Sequence, residues 1–68
     1  MSGTPKYPDV EVRLSGEDGN AFTVIARVRT ALRRAGVTTE ELAAFTTEAT
    51  AGDYDHVLQT AMAWVEVS

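Results

Sequence analysis

The residues of this chain that could do chemistry gather at two polar turns. The first, Ser15-Gly16-Glu17-Asp18-Gly19-Asn20-Ala21-Phe22, sets two carboxylates and an amide among two glycines. The second, Gly52-Asp53-Tyr54-Asp55-His56, adds two carboxylates, a phenol and the only histidine. If the turns converge, Asp18, Asn20, Asp53, Tyr54 and His56 offer oxygen and imidazole groups to a cation or a small polar ligand. Phe22 falls off the apolar stripe of the helix it begins, which makes it a candidate anchor for a protein partner.

Each chemistry meets an obstacle. A glycine turn before a helix suits an anion, but Glu17 and Asp18 would repel it, and neither a P-loop lysine nor a G-x-G-x-x-G run is present. Asp18-Gly19-Asn20 lacks the length and the closing bidentate glutamate of an EF-hand. One histidine with one or two carboxylates does not complete a metal site. General acid–base work needs an enclosed group with a perturbed pKa, and a chain of 68 residues encloses little. A Ser-His-Asp arrangement has no support either. Both turns therefore read first as structure, with Asn20 and Asp53 as helix caps. No catalytic residue, metal or cofactor is expected.

The elements that position these turns follow from the spacing. Residues 1–8 carry no periodicity and are expected to form a flexible lead, leaving 9–68 as one small domain. Asp9 to Leu14 alternates, with Val10, Val12 and Leu14 on one side, as a half-buried strand does. Ala21 to Ala35 repeats apolar residues at helical spacing through Val24, Ile25, Val28, Ala31 and Leu32, and Gly36 suits a left-handed C-cap. Thr38 with Glu41 forms a capping box, with Val37 and Leu42 as its staple. The helix that follows buries Leu42, Phe45 and Ala49, helped by Ala43 and Ala44, and stops at Gly52. Asp53 caps a third helix whose stripe is Tyr54, Val57, Leu58, Ala61, Met62 and Val65. Trp64 to Val67 reads as a closing strand. The expected fold is α+β, in the order β-α-α-α-β, three helices on a two-stranded sheet. The alternative is a nearly all-α three-helix domain in which helix 3 continues through Val67. The spacing leaves open whether the strands run parallel.

Composition narrows the classes. There is no Cys, so disulfides and thiolate metal sites are excluded, and the net charge is −4. Every basic residue lies at or before Arg34, and every charged residue from Val37 onward is acidic. Such a division suits ion pairs between elements, with Arg27, Arg29, Arg33 and Arg34 facing Glu40, Glu41 or Glu48, or pairing between subunits. Nucleic acid is disfavoured, because its binders carry an excess of positive charge. No apolar run approaches the ~18 residues of a membrane span, and the N-terminus lacks a signal-peptide core. A cytoplasmic protein is expected.

At the two turns the chain resembles a group of small uncharacterised proteins of bacteriophages, prophages and plasmids. The resemblance lies in Leu14 to Phe22, a G-x-D-G-N-A-F element, and Ala51 to Leu58, a G-D-Y-x-H element. It implies an accessory protein of a phage or mobile element, made inside a bacterial host cell, and carries no activity with it. Size and charge division add the expectation of a non-enzymatic protein that binds other proteins, as a homodimer and with a host protein as a further partner. A ligand- or metal-binding module built on the two turns is the second expectation.

Overall fold

The computed structural model describes residues 5–14 and 20–68. Its order is β1 (Tyr7–Val12), α1 (Ala21–Arg34), α2 (Thr39–Ala49), α3 (Tyr54–Trp64) and β2 (Val65–Val67). This is the expected β-α-α-α-β arrangement, with three helices covering one face of a two-stranded sheet. The first turn, Ser15 to Gly19, and with it Asp18, lies outside the described residues.

The strands pair in parallel, with Glu11 beside Glu66 and Val12 beside Val67. Parallel strands need a crossover, and here all three helices form it. The sheet is joined further at its ends. Lys6 N donates to the Ala63 carbonyl at 2.9 Å, Ser68 N to the Val12 carbonyl at 3.0 Å, and Leu14 N to the Ser68 carbonyl at 3.0 Å. The expected flexible lead is therefore too long: the strand begins at Tyr7, and Pro5 is already buried. Between Tyr7 and Glu11 the register is irregular, at the point where Pro8 has no N–H to give the ladder.

Local chemistry explains each helix end. Asn20 Oδ1 accepts from Phe22 N at 2.8 Å, capping α1. At the other end Gly36 has φ +90°, Gly36 N donates to the Arg33 carbonyl at 3.0 Å and Val37 N to the Leu32 carbonyl at 3.1 Å. That pair of bonds is a Schellman closure, and its left-handed residue favours glycine. Thr38 Oγ1 accepts from Glu41 N at 3.2 Å, the forward half of the capping box. The Glu41 carboxylate turns away from the cap to Lys6 and Tyr7. α2 ends at Ala49 with Thr50 as its C-cap, before the expected stop at Gly52, and Gly52 has no positive φ. Its absent side chain matters because an added Cβ would lie 2.8 Å from His56 Cβ and Cγ.

The core joins Val10 and Val12 of the sheet to Val24, Ile25, Val28 and Leu32 of α1, Leu42, Phe45 and Ala49 of α2, and Val57, Ala61, Trp64 and Val65. The face of α3 is rotated from expectation. Val57, Thr60, Ala61 and Trp64 are buried, whereas Tyr54 and Met62 are exposed. The helix ends at Trp64, so Val65 belongs to β2 and drops out of the helical phase. Trp64, the larger side chain, takes its place inward against Tyr7 and Phe45, with ring centroids 5.9 and 5.4 Å away. Ala43, Ala44 and Ala35 face solvent. No helix among the described residues is long and apolar enough to cross a membrane.

Candidate functional site

Among the polar-turn residues, Asn20, Asp53 and His56 bond to the backbone. Asn20 holds the start of α1, as above. Asp53 Oδ1 accepts from His56 N at 3.0 Å and caps α3. The His56 ring lies over the end of α2, with Nε2 2.8 Å from the Glu48 carbonyl. That bond supplements the one from Ala51 N, 3.3 Å from the same carbonyl in the last turn of the helix. Among the described residues, no three of His, Asp and Glu are placed to hold a metal. Phe22 is 78% exposed and Tyr54 37%. Asp18 lies outside the described residues, so the joint site of the two turns is not assembled by the residues in view.

The arginines of α1 are dispersed. Arg27, Arg33 and Arg34 are exposed and Arg29 is half-buried. The expected pairing with α2 is redirected: the salt bridge among the described residues joins Glu41 to Lys6, at 2.8 Å. Sequence reasoning missed the cluster this belongs to. Lys6 Nζ sits 4.4 Å from the Trp64 ring centroid, Tyr7 Oη donates to Glu41 at 3.1 Å, and Trp64 Nε1 donates to Glu48 Oε1 at 3.1 Å. The hydrogen bonds from Lys6 and then Tyr7 hold the Glu41 carboxyl below its ordinary pKa. The bond to Glu41 raises Lys6, while desolvation first, then the same carboxylate, raises Tyr7. All these groups are structural ties between the leading strand and the helices. The only signal for them was the basic and aromatic pair Lys6-Tyr7 in a lead that carried no periodicity.

A surface that could hold a partner lies elsewhere. Strand residues 9–13 and the helix residues Ala26, Arg27, Thr30, Ala31, Arg34 and Ala35 enclose an open groove of about 660 Å³. One wall is the edge of β1 that faces away from β2, and no described strand pairs with it. The other wall is lined by short side chains, with Arg27 and Arg34 at the rim. Asp9 and Glu11 stand exposed on β1 and Arg13 just past its end, while Val10 and Val12 point into the core. The sequence marked the alternation of this strand but not its place at the side of α1. No family model matches the chain, and no curated protein or solved structure matches it either.

Proposed function

We infer that this chain is a small non-enzymatic protein that works by binding other proteins, and that the groove between β1 and α1 is the surface it uses. The carrying observation is an open strand edge running beside a helix wall of short side chains. An edge of this kind takes an extended segment by strand addition, in which main-chain hydrogen bonds supply affinity and alternate side chains supply specificity. Arg13 and Arg34 around the groove favour a segment bearing carboxylates.

The resemblance at the two turns supports an accessory role in a phage or mobile element, inside the cytoplasm of a bacterial host, with a host protein among the partners. The division of charge, basic before Gly36 and acidic after it, favours encounter with a second copy as well. The test is a photo-cross-linking side chain placed at Thr30 in the groove, with Gln59 on exposed α3 as control, in bacterial cells expressing the protein. Covalent adducts to a protein from position 30 and none from position 59 are expected. Adducts from both positions alike, or from neither, would count against the groove.

A further inference from the structure

The geometry points to a second copy of this chain as the occupant of the groove, its first strand laid antiparallel against β1 about a two-fold axis at Val12. This rests on the groove being a protein-binding surface, and it names the partner and the register. Val12 and Leu14 turn their backbone groups toward the second strand, through the bonds with Ser68. Backbone groups alternate along a strand, so those of Glu11 and Arg13 point to the open edge. An incoming antiparallel strand must present residues of the same parity. Its register is therefore centred on a residue, and since a centre at Asp9 or Arg13 would set that charge against its own copy, Val10, Glu11 and Val12 are left.

Charge separates these registers. Centring on Val10 sets Asp9 against Glu11 on both sides of the axis, carboxylate facing carboxylate, and sets Pro8 against Val12. Centring on Glu11 sets that carboxylate against its own copy. Centring on Val12 sets Glu11 against the partner's Arg13 and Arg13 against the partner's Glu11, with Val12 against Val12 and Val10 against Leu14. Of the three, this alone leaves no like charges opposed. Opposite charges on facing strands stabilise an antiparallel pair, and like charges destabilise it. Glu11 and Arg13 also become the hydrogen-bonded pairs, exchanging about four main-chain bonds across the axis.

Two further observations support this occupant. Glu11 already neighbours Glu66 across the parallel pair, and both are exposed on the outer face. A cation from the partner on the other side of Glu11 offsets that repulsion. On the helix side, Ala26, Thr30 and Ala31 line the groove with short side chains and leave room beside the open edge. The product is a four-stranded sheet in the order β2-β1-β1-β2.

Charge reversal with native mass spectrometry tests this. The wild type is expected to be a dimer. Glu11→Arg alone and Arg13→Glu alone are each expected to be folded monomers by mass and circular dichroism, since both positions are exposed. Mixed in equal amounts, the two variants should form a 1:1 heterodimer, and the double variant E11R/R13E should regain the homodimer. A monomeric wild type, or a dimer indifferent to both reversals, overturns the proposal. A monomeric wild type that still cross-links through Thr30 to a different protein overturns self-pairing only. A monomer with no cross-link from Thr30 removes the groove reading as well.

Discussion

Gly52→Ala is the sharpest test of how the second polar turn is read. At a position whose backbone any residue can adopt, Gly→Ala stabilises by about 0.4–1 kcal/mol, because it restricts the unfolded chain. Gly52 has no positive φ, so its backbone permits alanine. Its surroundings do not. The new Cβ would lie 2.8 Å from both Cβ and Cγ of His56 and 3.2 Å from its Cδ2. A rotamer change of His56 cannot relieve a contact with its Cβ, so the backbone at the start of α3 must shift. That shift loosens the Asp53 cap and the bond from the His56 ring to the Glu48 carbonyl. Overpacking of this kind costs about 1–3 kcal/mol. With an unfolding entropy of about 2.1 cal/mol/K per residue, a chain of 68 residues loses about 7–20 °C of Tm. The assay is a thermal melt followed by circular dichroism and Trp64 fluorescence. His56→Ala in the same background should not restore stability, since the Cβ contact remains, whereas His56→Gly should restore part of it. Gly36→Ala is the contrast, because nothing lies within 4 Å of its added Cβ and only the φ of +90° is strained. A Gly52→Ala protein that melts at or above the wild-type temperature would refute the close approach, and with it the packing reason for glycine in this turn.

Other substitutions probe the core and its ties. Phe45→Ala removes a fully buried ring that meets Trp64 edge-on. It should cost about 3–5 kcal/mol, comparable to the ~0.05–0.15 kcal/mol per residue that holds such a domain folded, and urea titration should find it largely unfolded. Trp64→Phe keeps an aromatic ring between Tyr7 and Phe45 but removes the donor to Glu48, with an expected loss of about 1 kcal/mol in the same titration. The pH dependence has a defined sign. Glu41 titrates below its ordinary 4.5, so its contribution is present above that value and lost as pH falls through the lowered pKa. Lys6 and Tyr7 titrate above their ordinary 10.5 and 10.0, so theirs is present below those values and lost as pH rises toward the raised ones. Trp64 fluorescence should therefore report a mid-pH plateau with loosening at both ends, and Glu41→Gln should abolish the acid limb.

Much of the architecture was legible along the chain, because the signals are local. The alternation of Val10 and Val12, the caps Asn20, Thr38 and Asp53, and the closure at Gly36 depend only on residues within a turn of each other. Apolar spacing also placed Val24, Ile25, Val28, Leu32, Leu42, Phe45 and Ala49 inward. The limits of the lead and the phase of α3 were not legible. Tyr7 enters the strand because β2 and Trp64 are there to receive it, and both stand at the far end of the chain. Two apolar stripes fit α3 almost equally well by spacing alone. The one containing Trp64 wins because a large ring can fill the space between Tyr7 and Phe45, a space that exists only after the elements dock.

The candidate site shows the same division. Sequence determined the composition of the polar turns, the separation of basic from acidic residues and the order Glu11-Val12-Arg13 on a strand. Tertiary structure decided that the Asp53 carboxylate and the His56 imidazole of the second turn serve a cap and a helix end, because docking of α3 on α2 brings the ring to the Glu48 carbonyl. It decided the parallel direction of the sheet, since the crossover returns the chain to the same end before β2 begins. It also decided which edge of β1 stays open and that α1 runs beside it. A strand carries no record of its neighbours in its own residues, so the groove comes into being only when the helix layer is laid against the sheet.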